Sequence, residues 1–244
     1  MRLDKFISHN ASVSRTEVRR LIKAKTVTVN GVPVRDAAAV ISPSDTICVD
    51  GAPVTSLGDM YLMLHKPAGY ICANEDGDHP TVVDLLTQAS STIPRAHELQ
   101  IAGRLDLDTT GLVLLTSDGN WNHRLTSPRA GCRKVYQVTL TQPFDVQTKD
   151  DFADGIALRG EKKPTLPASI QMLDAHRVLL TIQEGKYHQV KRMFAATGNH
   201  VAALHRLSIG DIHLDPTLQP GEFRTLTDAE IESVSNPTPQ PSEQ

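Results

Sequence analysis

Apolar residues near the start of the chain recur at helical spacing. Leu3, Phe6 and Ile7 share one face, and a second pattern opens at Ser14, with Val18, Leu21 and Ile22 in register. Ser14 followed three residues later by Glu17 predicts a capping box, and the helix is expected to run to about Lys25. Its other face carries Arg15, Arg19 and Lys23 at i, i+4 and i+8, a cationic stripe on a packed helix. Residues 27–34 then read as two short strands joined at Asn30-Gly31, the strongest short-range hairpin signal, and residues 46–50 predict another strand. Residues 51–59 are rich in small and turn-forming side chains and read as a linker.

Beyond residue 60 the pattern changes. Apolar runs at 61–64, 111–116, 135–141 and 178–182 predict strands, with helices near 82–86, 120–125 and 187–197. The expected fold is α+β, with a small N-terminal α/β unit over residues 1–58. A larger mixed domain over 59–234 follows, built mainly on an antiparallel sheet. Residues 235–244, with Pro237, Pro239 and Pro241, are expected to be a disordered tail. No internal repeat is present.

Composition narrows the class. With 39% hydrophobic and 22% charged residues in 244, the chain can bury a substantial core. No apolar run approaches the roughly 20 residues that cross a bilayer, and the N-terminus lacks a signal-peptide pattern, so no membrane partner and a cytoplasmic location are expected. Cys48, Cys72 and Cys132 show no CxxC spacing, which argues against a structural zinc or a disulfide framework. The ten histidines form no HxH or HxxxH pair, so no metal site is expected. The net charge of −3 hides an asymmetry: residues 1–58 hold eight Lys/Arg against five Asp/Glu, and the remainder holds 17 against 23. A basic helix face at the basic end of the chain suits contact with RNA phosphates.

Chemistry concentrates in the run Gly103-Arg104-Leu105-Asp106-Leu107-Asp108-Thr109-Thr110-Gly111-Leu112. It sets Asp106 between an arginine and a Thr-Thr-Gly turn at the mouth of a strand, where a loop side chain can be exposed and aimed. The same aspartates would serve equally as turn residues capping local amides, and this stretch alone leaves both readings open. Three more segments accompany it: Leu64-His65-Lys66-Pro67-Ala68-Gly69-Tyr70, Arg133-Lys134-Val135-Tyr136, and Glu184-Gly185-Lys186-Tyr187-His188-Gln189-Val190-Lys191-Arg192-Met193.

The segments RLDKFI, SRTEVRRLIKAKTVTVNG and DTICVDG make residues 1–50 resemble the S4 RNA-binding domain. The motif GRLDLDTTGL, with the three segments above in the same order, closely resembles the RsuA-type pseudouridine synthases of small-subunit ribosomal RNA. That resemblance runs to about Val234 and implies isomerisation of a uridine to its carbon-linked form. It implies Asp106 as the catalytic carboxylate, Arg104 as the arginine that helps hold the flipped-out nucleotide, Tyr136 as the aromatic packing on uracil, and Lys191 as the basic partner of the aspartate. His65 departs from the asparagine that many relatives carry before Lys-Pro. The implied partner is 16S rRNA within a small-subunit assembly intermediate, the expected target uridine 516, and the expected state a monomer.

Elementary chemistry is consistent with those roles. A single carboxylate can act by attacking the sugar or the ring, or by removing a ribose proton, and needs no metal or cofactor. It must stay ionised in a partly dry site, so a fixed cation beside it is expected. Val190, Met193, Phe194 and Thr197 mark the buried face of their helix. Lys191 lies on its flank, about 100° from Val190, while Arg192 points nearly opposite. His188 and Arg192 are therefore expected to meet RNA, and Lys66, Arg15, Arg19 and Lys23 are expected to do so as well. Three other readings compete: an rRNA-binding assembly factor without activity, a synthase acting on 23S rRNA, and a glycoside hydrolase, which would need a second positioned carboxylate.

Overall fold

Leu3 and Ile7, one turn apart, are fully buried against Val18 and Ile22, which is why two short helices of modest intrinsic stability hold together. The computed structural model describes residues 1–11, 13–88, 93, 95–127 and 130–235. The chain separates into two units, Met1–Gly58 and Asp59–Gln244.

The first unit runs α1 (Leu3–Asn10), α2 (Arg15–Lys23), β1 (Val27–Val29), β2 (Val32–Pro33), β3 (Ile47–Val49) and β4 (Ala52–Pro53). Its antiparallel sheet has the order β2-β1-β3-β4. Ser14 caps α2 by accepting from the Glu17 amide at 3.2 Å, but the Glu17 carboxylate takes Arg20 at 3.2 Å instead of reaching back, so only half of the expected capping box forms. Lys25 takes φ 62° and leads the chain out of the helix, which ends at Lys23. Asn30 and Gly31 both have positive φ, 51° and 78°, as a type I′ hairpin turn requires. The expected linker at 51–59 begins differently: Asp50-Gly51 repeats the same turn geometry and pairs β4 with β3.

The second unit continues with β5 (Tyr61–Lys66), α3 (Val82–Gln88), β6 (Gln100–Ala102), β7 (Thr110–Thr116), α4 (Gly119–Thr126), β8 (Lys134–Leu140) and α5 (Lys149–Asp154). After these come β9 (Ser169–Met172), β10 (Arg177–Ile182), α6 (Gln189–Ala196), β11 (Val201–Ile209), β12 (Ile212–His213), β13 (Phe223–Thr225) and α7 (Asp228–Ser235). The nine strands form one sheet along the path β13-β5-β7-β11-β8-β10-β9, with β6 beside β7 and β12 beside β11. Every pairing is antiparallel except β7 with β11. The α+β class is as expected.

Both faces of this sheet are covered. Leu62, Leu64, Val113 and Leu115 join the cluster that includes Val138, Leu180, Met193 and Phe194, while Met63, Leu112 and Leu114 pack with Trp121 and Ile209 on the opposite side. Two-sided burial explains why β5 and β7 read as continuous apolar runs rather than alternating ones. The nine-residue strand β11 lies in the middle of the sheet and was not expected, because His205, Arg206 and Ser208 interrupt its apolar pattern. Helix α7 ends at Ser235, and the remainder of the expected tail, 236–244, lies outside the described residues.

Candidate active site

Strand β6 ends at Ala102, and the chain turns through Gly103 at φ 86° into a loop that carries Asp106 before re-entering the sheet as β7. β7 meets β11 so closely at Gly111, φ 107°, that a Cβ there would collide with the Arg206 backbone. This explains the glycine of the motif in physical terms. The carboxylate is thus set on an irregular segment whose two ends are anchored in neighbouring strands.

Two buried cations hold that segment. Lys66, at the end of β5, donates from Nζ to the carbonyls of Thr109 at 2.7 Å, Pro67 at 3.0 Å and Leu107 at 3.2 Å. Arg206, on β11, donates from Nε to Leu112 O at 2.8 Å, from Nη2 to Gly103 O at 3.0 Å, and from Nη1 to Arg104 O at 3.3 Å. Burying a charge is costly unless its donors are satisfied, and here the backbone carbonyls satisfy them. Burial pushes the Lys66 ammonium below its ordinary pKa, against the opposing pull of Cys72, Asp108 and Asp106. The expectation that Lys66 faces RNA is therefore corrected: it is fully buried and its ammonium is committed to the loop. Thr109 Oγ1 is the single buried side-chain polar atom without a hydrogen-bond partner among the described residues, and it sits where this loop returns to β7.

Helix α6 supplies the other wall. His188 Nε2 lies 3.5 Å from Asp106 Oδ1, and Lys191 Nζ lies 3.5 Å from Asp106 Oδ2. Lys191 is closer still to Asp108, at 2.6 Å, and that hydrogen bond holds the Asp108 carboxyl below the usual carboxylate range. One ammonium thus serves two carboxylates. The Asp106 side chain is 30% exposed, open enough for a nucleotide and confined enough for its neighbours to matter.

The remaining predicted residues fall in different places. Arg104 is exposed beside Asp106. Tyr136, on β8, is only 6% exposed, and its hydroxyl accepts from Arg206 Nη1 at 3.5 Å. Arg192 leaves the helix on the side away from Val190, as expected, but its guanidinium is engaged by Glu161 at 3.2 Å and by the carbonyls of Arg159 and Tyr187 at 2.6 and 2.9 Å. It braces the 159–161 loop, so the expected RNA contact would be made by a cation that is already engaged. Arg15, Arg19 and Lys23 are exposed on α2 in the first unit. Sequence reasoning missed Arg206, because His205 and Ser208 beside it break the apolar pattern of β11. Among the described residues no group of three or more His, Cys, Asp or Glu side chains could share a metal ion, and no helix is long and apolar enough to cross a membrane.

A family model described as RNA pseudouridylate synthase matches residues 60–196, and an S4 domain model matches residues 1–47. The chain belongs to the RNA pseudouridylate synthase family. The matched catalytic stretch contains Asp106, Tyr136 and Lys191, and the S4 match contains Arg15, Arg19 and Lys23. Ribosomal small subunit pseudouridine synthase A of Yersinia pestis is 52% identical over 238 residues, covering 97% of this chain and 99% of that protein. The enzyme of the same name from Escherichia coli K12 is 52% identical over 235 residues, covering 96% and 100%. A crystal structure of a pseudouridylate synthase, 47% identical, covers 96% of this chain and 99% of its own with a TM-score of 0.69. This pseudouridine synthase therefore combines an S4 unit with a catalytic sheet domain, and Arg206 lies beyond the matched catalytic stretch.

Proposed function

We propose that this pseudouridine synthase converts one uridine of 16S rRNA, uridine 516 by family expectation, using Asp106 as its reactive carboxylate. The observation that carries the reading is the position of Asp106: a partly exposed carboxylate on a loop fastened by Lys66 and Arg206 and flanked by His188 and Lys191 at 3.5 Å each. The names of the full-length relatives support the small-subunit target.

Each available route requires Asp106 to be ionised: attack on the sugar, attack on the ring, or removal of a ribose proton. Lys191 supports that state, and Asp108 keeps its ammonium in place. The uracil must leave its stack before reaction, at a cost of a few kcal/mol. Arg104 is free to fill the vacated space, and Tyr136, tied to Arg206, provides the floor on which the ring packs. The chemistry calls for no metal or cofactor. Arg15, Arg19 and Lys23 grip the RNA backbone through the S4 unit. The substrate is an assembly intermediate of the small subunit, acted on in the cytoplasm by a monomer.

Site-resolved pseudouridine mapping of 16S and 23S rRNA, free and in assembling subunits, tests this reading. A single new 16S signal is the expected result. A 23S signal would overturn the target, and no signal on any RNA would overturn the assignment of the site.

A further inference from the structure

The approach to α6 carries an arrangement that the chemistry above leaves unused. Tyr187 is 73% exposed, the one aromatic among the large exposed hydrophobic residues described. Its ring lies on the His188 imidazole with centroids 3.9 Å apart and planes 18° from parallel. The imidazole edge in turn faces Asp106, with Nε2 3.5 Å from Oδ1.

The pair is built, not incidental. His188 adopts φ 47°, a left-handed conformation uncommon for a residue with a Cβ. The turn is held by Arg192 Nη1 donating to Tyr187 O at 2.9 Å and by the Lys186 amide donating to Gln189 Oε1 at 2.8 Å. An exposed aromatic fixed in this way presents a flat π-face to solvent beside a carboxylate that must receive a nucleotide.

We propose that the Tyr187–His188 stack is the platform for the base of the nucleotide next to the target uridine. This rests on the reading that Asp106 receives the target. The target's ribose and uracil must lie against the carboxylate, which His188 meets with its edge and Lys191 with its ammonium, so the Tyr187 ring, one stacking distance beyond the imidazole, meets the neighbouring nucleotide. When the target leaves its stack, the flanking base loses a partner, and the platform restores one. Stacking on a π-face is tolerant of base identity, so the platform strengthens grip at the site without reading sequence.

The test is a cycle of Tyr187→Ala and Tyr187→Phe against short target RNAs that are intact or abasic at either flanking nucleotide, reading both affinity and single-turnover pseudouridine formation. Tyr187→Ala is expected to weaken binding of intact RNA by about 5- to 160-fold, the range of one lost base stack, while Tyr187→Phe stays close to wild type. One abasic position should cost the wild type the same loss and cost Tyr187→Ala nothing more. Wild-type affinity in Tyr187→Ala, or an equal loss on intact and both abasic RNAs, would overturn the platform. If the wild type forms no pseudouridine while Tyr187→Ala still weakens binding at one flank, the reading of Asp106 fails and the platform stands.

Discussion

Two sets of cations in this protein are built in opposite ways. Lys66 and Arg206 are fully buried and spend their donors on backbone carbonyls of the Asp106 loop. Arg15, Arg19 and Lys23 stand exposed along one face of α2. The contrast fits the roles proposed for each. A carboxylate that reacts in one geometry needs its loop fixed to a fraction of an ångström, which buried, multiply bonded cations provide. A surface that follows a polyanion gains more from mobile charges that release counterions.

The sharpest way to break this division is Arg206→Met. It leaves the buried carbonyl of Leu112 and the partly buried carbonyls of Gly103 and Arg104 without this donor, and a cost of about 3 kcal/mol is expected in urea unfolding. Turnover should fall even under conditions where the variant remains folded. Neutralising Arg15, Arg19 and Lys23 together should do the reverse, leaving stability within about 0.5 kcal/mol because the positions are exposed surface. The salt dependence of RNA binding should flatten by about 2 in log–log slope if each charge meets a phosphate. Fluorescence binding titrations at several salt concentrations would show an unchanged slope if the helix face is merely solvated.

Asp108→Asn should have only a small effect on stability. Its carboxylate is 69% exposed, so the pair with Lys191 contributes less than about 1 kcal/mol. Because the folded carboxyl is held below its unfolded value of about 3.9, that contribution is complete above this pH and is lost as pH falls through the lower folded value. Thermal melts of wild type and variant should therefore differ slightly at neutral pH and converge in strong acid. A difference that grew on acidification would refute the pairing.

The parts of the fold legible in the sequence were those whose burial is two-sided or whose turns have their own chemistry. The runs at 61–64, 111–116, 135–141 and 178–182 all became strands, and Asn30-Gly31 became the expected hairpin. Strand β11 was hidden because Arg206 is buried by partners about a hundred residues away, which no local pattern displays. Helix α6 starts at Gln189, later than its apolar period suggested, because His188 turns left-handed to stack with Tyr187. Helical periodicity put Lys191 on the flank of the buried face, and the structure sets it 3.5 Å from Asp106. The same reasoning put Arg192 on the far side but could not foresee that the 159–161 segment would cover it. Lys66 was misread because a lysine in a Pro/Gly turn looks exposed until three carbonyls are found around it.

The most direct test of the central claim compares RNA affinity and single-turnover pseudouridine formation for wild type and Asp106→Asn on the same substrate. The account predicts no product from the variant and an affinity within a few fold of wild type, since the substitution changes the reactive group and leaves Lys66, Arg206 and the α2 cations in place. Product formation at the wild-type rate, or a loss of affinity as large as the loss of turnover, would contradict it.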